Sequence, residues 1–292
     1  MYTAHFGLAM RPFALTPDPS FLYHSRNHQL ALDMLAYGID SQAPLLLLTG
    51  EIGSGKTTLL RQLMRDLDER ITVGLVSNPT RNLRSLIPHV ASSLDVEPAD
   101  GSDIAAYEAI TRVALAEYGA GRRTLIVIDE AQNLSDELLE EVRLLTNLNS
   151  DGDVLVQVLL VGQPELRQTL SKPGMRQIAQ RVAADHHLRP LDARETAAYI
   201  ASRIRIAGGK PGLFSIGAMA VVYVSSSGVP RLINQLCDYA LVFAYADGKA
   251  VVDRETVEEV LKARVAAGAL PVFADSVRDG QAAAQVAGAL KP

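Results

Sequence analysis

Cysteine is nearly absent. With a single one, Cys237, among 292 residues, no internal disulfide can form, which suits a reducing compartment. Cys237 lies in an apolar helical stretch and is expected to serve packing. Long apolar runs are also missing: nothing approaches the ~20 uninterrupted residues of a membrane span. The first residues lack the charged segment and apolar core of a secretory signal. The expectation is a soluble, cytoplasmic chain. Basic charge is in deficit, with 28 Lys and Arg against 33 Asp and Glu and a formal net charge of −5. That argues against a dedicated nucleic-acid binder, although a ring can present a local basic stripe despite acidic totals. What is present is apolar material: 48% of residues are hydrophobic, enough to bury a core and to exclude a disordered chain. The length suits one large or two modest domains.

The most informative stretch is Gly50-Glu51-Ile52-Gly53-Ser54-Gly55-Lys56-Thr57, closed by Thr58, which follows the apolar run Pro44-Leu45-Leu46-Leu47-Leu48-Thr49. It fits the phosphate-binding P-loop pattern. Glycines let several backbone N–H groups turn inward onto a β-phosphate, where any Cβ would block the approach. Lys56 suits a bridge between β- and γ-phosphates and Thr57 a hydroxyl ligand for Mg²⁺. Residues 57–70 read as a helix whose N-terminal dipole faces the anion.

A second element appears in Thr124-Leu125-Ile126-Val127-Ile128-Asp129-Glu130. A continuous β-branched run is typical of a central parallel strand buried on both faces, and ligands sit at the carboxyl ends of such strands. Asp129 is therefore placed to hold Mg²⁺, through a water, and Glu130 to orient and deprotonate an attacking water.

Residues 1–24 carry Phe6, Pro12, Phe13, Pro17, Pro19, Phe21 and Tyr23, which predicts an ordered, irregular arm expected to pack beside a nucleotide base. An amphipathic helix is expected over 25–39, the P-loop strand next, and a strand over 72–78. Helices follow over 81–95 and 101–119, then the acidic strand, a helix over 135–149, a strand over 154–161 and a short strand at 187–189. This βα alternation predicts a five-stranded parallel sheet with helices on both faces. After Pro190 the pattern is helical only, over 192–206, 215–227, 230–246 and 253–264. An α/β core with a small all-helical lid is the AAA+ layout, so domains are expected at 1–190 and 191–265. Residues 266–292 are Ala/Gly-rich and read as a mobile tail with one short helix.

Several motifs carry a family resemblance: Phe6-Gly7-Leu8 with Pro12-Phe13, Thr16-Pro17-Asp18-Pro19, Phe21-Leu22-Tyr23, His28, Ala31-Leu32 and Leu48-Thr49-Gly50-Glu51. Leu160-Val161-Gly162-Gln163-Pro164-Glu165-Leu166 and Gly228-Val229-Pro230-Arg231-Leu232-Ile233-Asn234 extend it. Over residues 5–265 the chain resembles the ExeA/GspA family of AAA+ ATPases. That family includes ATPases of type II secretion, relatives in pilus and exopolysaccharide-export loci, and distant transposition ATPases of the TnsC/TniB kind. Secretion members continue into a membrane span and a peptidoglycan-binding domain. This sequence shows neither, so the resemblance bears on the ATPase core more than on an envelope role.

The resemblance implies further roles. Gln163 occupies the place of a polar γ-phosphate sensor, where Asn or Thr is more usual. Arg231 matches a second sensor that contacts the γ-phosphate when the lid closes, a task suited to its charged fork. Arg181 first, and Arg176 second, stand where AAA+ subunits carry the finger that reaches a neighbour's ATP. A finger in trans implies a homo-oligomer, a ring or a short filament. His186-His187 lacks the companions of a metal site and points to opposite strand faces, so it reads as structural. Arg61, Arg65 and Arg70 share a helix with Asp66, Asp68 and Glu69 and read as a solvated surface. The function implied is Mg²⁺-dependent ATP hydrolysis that drives assembly or remodelling of a partner in an export system. The alternative is an ATP-dependent DNA-binding assembly factor that recruits a transposase or integrase.

Overall fold

The computed structural model describes residues 1–16, 21, 23, 25–80, 82–150, 152–268 and 280–290. In chain order the elements are α1 (Tyr2–His5), α2 (Arg26–Asp40), β1 (Leu45–Gly50), α3 (Lys56–Asp66), β2 (Ile71–Val76), α4 (Ile87–Ser93) and α5 (Asp103–Gly119). They continue with β3 (Arg123–Ile128), α6 (Asp136–Leu145), β4 (Asn149–Ser150), β5 (Asp153–Val154), β6 (Val156–Gly162), α7 (Pro164–Leu170), α8 (Arg176–Ala179) and β7 (Val182–Leu188). Helices alone follow: α9 (Ala193–Ile206), α10 (Ile216–Ser226), α11 (Pro230–Ala246), α12 (Arg254–Ala266) and α13 (Gly280–Ala289). The chain divides into two compact units, a sheet unit of Arg26–Ile52 with Lys56–Leu188 and a helical unit of Met1–Ser25, Gly53–Gly55 and Arg189–Pro292.

The sheet unit is built on five parallel strands in the order β2-β3-β6-β1-β7. Its centre follows from residue type: every residue of β1 and β6 is buried, as is β3 after Arg123. Strand alternation sorts the side chains. Leu45, Leu47, Ile126, Ile128, Val158 and Leu160 face a layer made by α4, α5 and α6. Leu46, Leu48, Leu125, Val127, Leu159 and Val161 face α2 and α3. Each fully buried side chain of this kind contributes about 1.5–3 kcal/mol, so the apolar runs leave little freedom of register. The register Thr49↔Gly162 and Ile128↔Leu160 brings the carboxyl ends of β1, β3 and β6 to one edge.

Local chemistry sets the helix starts. Ser102 and Ser135 accept from the N–H groups of Ala105 and Leu138 to cap α5 and α6. The segment expected as a helix over 81–95 is helical only over Ile87–Ser93, and a carboxylate from another element caps its late start: Glu141 of α6 accepts from the N–H groups of Leu86 (2.7 Å) and Ile87 (3.2 Å). Strand β7 runs over Val182–Leu188 rather than 187–189. It is an edge strand, and its polar Asp185, His186 and His187 hide the apolar alternation. Both histidines are engaged, His187 Nδ1 with Thr49 Oγ1 (3.1 Å) and His186 Nε2 with Asn27 Oδ1 (2.9 Å). The two-residue hairpin β4–β5 is not foreseen from the sequence.

The helical unit packs α9, α10, α11 and α12 around a core that includes Tyr199, Phe214, Leu236 and the buried Cys237. Its caps are strong: Asp192 and Glu195 form a reciprocal capping box on α9, and Ser215 and Asp253 cap α10 and α12. Tyr2, Phe6, Leu8 and Phe13 belong to this core. The first residues, grouped with the nucleotide domain in the sequence analysis, are thus part of the helical unit. Arg203, only 6% exposed, fastens them there. Its guanidinium donates to Pro12 O (2.6 Å) and Tyr199 Oη (2.7 Å) and stacks over Phe21. The Thr16-Pro17-Asp18-Pro19 motif falls mostly outside the described residues. So does most of the expected tail, apart from the residues up to 268 and the stretch 280–290 that carries α13.

Candidate nucleotide site

The loop from Gly50 to Thr58 leaves the buried end of β1 and enters α3 at Lys56. Gly53 and Gly55 have φ of +79° and +104°, a left-handed backbone that L side chains rarely adopt. Lys56 is 7% exposed. Its Nζ donates to Gly50 O (2.8 Å) and Glu51 O (3.0 Å). Burial lowers its pKa, and the carboxylates of Glu130, Asp129, Glu51 and Glu165 pull it back up.

At the end of β3, Asp129 N donates to Val76 O (3.0 Å) and Thr57 Oγ1 lies 3.5 Å from Asp129 Oδ2. Burial raises the pKa of Asp129 and the neighbouring Glu130 charge adds to it, while the N–H of Glu130, Lys56 and Thr57 oppose the shift. A hydroxyl and a carboxylate side by side are hard oxygen donors of the type that Mg²⁺ takes, so these residues fit the ion. Glu130 sits at φ +58°, ψ +36°. A non-glycine residue there costs about 1–3 kcal/mol, and such positions cluster at functional sites. Its Oε2 accepts from Gln132 Nε2 (2.6 Å) and faces Gln163 Nε2 (3.5 Å). Gln163 N in turn donates to Gln132 Oε1 (3.0 Å).

The structure therefore brings Lys56, Thr57, Asp129, Glu130 and Gln163 to one edge of the sheet unit. Within the helical unit, Arg231 lies in the first turn of α11, with its N–H donating to Gly53 O (3.2 Å). A Cβ on Gly53 would come within 2.5 Å of Arg231 Cβ. Arg176 is exposed on α8. Arg181 lies beyond that helix and its guanidinium is tied within its own unit, to Thr146 O (3.0 Å) and to Asn147 Oδ1. Neither arginine shares a hydrogen bond with the five residues above among the described residues. Gln132 is the functional candidate that sequence reasoning passes over. Its only signal there is its place two residues after Glu130. No helix among the described residues is long and apolar enough to cross a membrane.

Comparison with known proteins agrees with this geometry. Residues 39–170 match the AAA domain family. General secretion pathway protein A of Aeromonas hydrophila is 40% identical over 249 residues, which cover 85% of this chain and 46% of that protein; the chain thus spans less than half of that relative's length. Among solved structures, Aeropyrum pernix ORC2 in its ADPNP-ADP complexes superposes with a TM-score of 0.64 at 17% identity, covering 86% of this chain and 71% of that one. Drosophila ORC bound to DNA gives 0.65 at 15% identity, covering 98% and 78%. At such identities these structures speak for the fold alone, a P-loop AAA+ sheet followed by helices. The closer sequence relative goes further: at 40% identity over 85% of its length, the chain carries the resemblance to the ExeA/GspA-type AAA+ ATPases beyond the fold.

Proposed function

We propose that this protein hydrolyses ATP and that the nucleotide controls its assembly with itself and with a partner in a secretion, pilus or exopolysaccharide-export system. The observation that carries the catalytic half is the convergence of a buried Lys56 with Thr57, Asp129 and Glu130 at one sheet edge. Lys56 and the loop amides would hold the phosphates. Thr57 and Asp129 would hold Mg²⁺, which when bound offsets charge on the phosphate oxygens. Glu130 takes the proton of the attacking water as its oxygen bonds the γ-phosphorus. The bond to the bridging oxygen breaks and its electron pair leaves with ADP. Gln163 and Arg231 are assigned to sensing the γ-phosphate, and an arginine from a neighbouring copy, Arg176 or Arg181, to completing the site. The domain division is proposed as an ATP-binding core with a helical lid, and the location as cytoplasmic, recruited to the membrane by a partner. The export reading is supported by the identity to a general secretion pathway protein.

Light scattering of the Glu130→Gln variant with Mg·ATP, with and without duplex DNA, tests the reading. An assembly that forms without DNA and ignores it is the expected result. An assembly that appears only on DNA, with binding that falls steeply with salt, replaces the export role with a DNA-bound assembly factor that recruits a transposase or integrase. A persistent monomer overturns both the assembly and the trans-acting arginine.

A further inference from the structure

Gln132 stands on the first turn after β3 and touches two of the assigned groups at once. Its Nε2 donates to Glu130 Oε2 (2.6 Å), and its Oε1 accepts from the main-chain N–H of Gln163 (3.0 Å). The two contacts determine the amide's orientation. Turned over, it would set oxygen against a carboxylate and nitrogen against an N–H, so only one placement satisfies both neighbours. Room for it comes from Gly162, the last residue of β6: a Cβ there would lie 3.0 Å from Gln132 Oε1, 3.3 Å from Gln132 N and 2.9 Å from Leu166 Cδ2. The carboxylate it meets is held asymmetrically. Oε2 faces both Gln132 and Gln163, whereas Oε1 accepts no hydrogen bond from any described residue. Glu130 itself sits on left-handed backbone at φ +58°.

We propose that Gln132 is a positioning residue for hydrolysis: its amide ties the carboxylate of Glu130 to the end of β6, so that one oxygen is clamped and the other is presented to the attacking water. The base and the γ-phosphate sensor Gln163 then share one frame, and the sensor's own peptide N–H is a member of it. This rests on the ATPase reading above.

Two readouts test it. In nucleotide-free protein labelled with ¹⁵N-glutamine, the Gln132 side-chain amide signal is identified by its loss in Gln132→Met, and it is expected to move in both Glu130→Gln and Gly162→Ala. In steady-state kinetics Gln132→Met and Gln132→Glu each lower kcat about 10- to 100-fold, with affinity for a non-hydrolysable ATP analogue unchanged. Gln132→Glu keeps the acceptor and loses the donor, so a loss equal to that of Gln132→Met assigns the effect to the donated hydrogen bond. An amide signal that ignores Glu130→Gln, a retained kcat, or an affinity that falls in step with kcat overturns the inference and leaves the ATPase reading standing. A wild-type protein that binds the analogue without hydrolysing ATP overturns the ATPase reading, and the positioning role with it.

Discussion

At the scale of single residues the site is a set of charges held where they cost stability. Burial is the largest influence on both Lys56 and Asp129, lowering the pKa of the first and raising that of the second. For Asp129 the sign follows directly. A carboxyl with a raised folded-state pKa keeps its proton to higher pH than in the unfolded chain, so its ionised form opposes folding above that value and the penalty fades as pH falls toward 3.8. Asp129→Asn should therefore raise the thermal midpoint at neutral pH without nucleotide while abolishing the extra stabilisation that Mg·ATP confers. A midpoint below that of the wild type would contradict this account. That opposition between stability and function is expected where carboxylates are kept dry for chemistry. The P-loop and the Asp129-Glu130 pair were legible from the chain because their spacing is local. The orienting role of Gln132 was not, since half of its hydrogen bonding comes from Gln163, 31 residues away.

Secondary-structure elements are joined by a few polar side chains whose partners lie in other elements. Glu117, near the end of α5, accepts from Arg122 Nε (2.6 Å) and Nη2 (2.7 Å) and from Thr72 Oγ1 of β2. The Arg122 fork, then the Thr72 hydroxyl, lowers its pKa from 4.5 to about 2. A depressed carboxyl contributes stability above its unfolded value of 4.5 that disappears as pH falls toward 2. Arg122 is 43% exposed at its side chain, so solvent screening keeps the contribution small. Glu117→Gln should flatten the fall of urea-unfolding free energy between pH 4.5 and 2, and an unchanged slope would refute the assignment. Boundaries of elements were least legible where such side chains decide them. Glu141 caps the start of α4 from another helix, and the polar residues of β7 concealed a strand that pairs with β1 from Val182 to Leu188 with one register shift.

On the scale of the molecule, the proposed trans-acting finger falls on one of two arginines that the structure treats differently. Sequence position favoured Arg181, but its guanidinium already bridges Thr146 and Asn147 of its own chain, whereas Arg176 is exposed. Arg176→Ala should therefore leave the thermal midpoint unchanged and lose most turnover. Mixing it with Glu130→Gln should restore hydrolysis that neither variant has alone, because one shared interface then contains an intact base and an intact finger. Arg181→Ala should lower the midpoint. Restoration of activity by Arg181→Ala in place of Arg176→Ala would reverse the two roles.

The chain by itself determined the nucleotide loop, the acidic strand, the parallel sheet and the helical run after residue 190. These rest on spacing over a few residues and on apolar periodicity, both written in local order. Tertiary structure alone decided that the first residues join the helical core through Arg203, that Arg181 is held within its own chain, and that Gln132 stands between Glu130 and Gln163. Each of these is a hydrogen bond or packing contact between residues far apart in sequence. The partner of a polar side chain is set by which strand ends and helix termini the sheet order makes adjacent, and no local pattern encodes that.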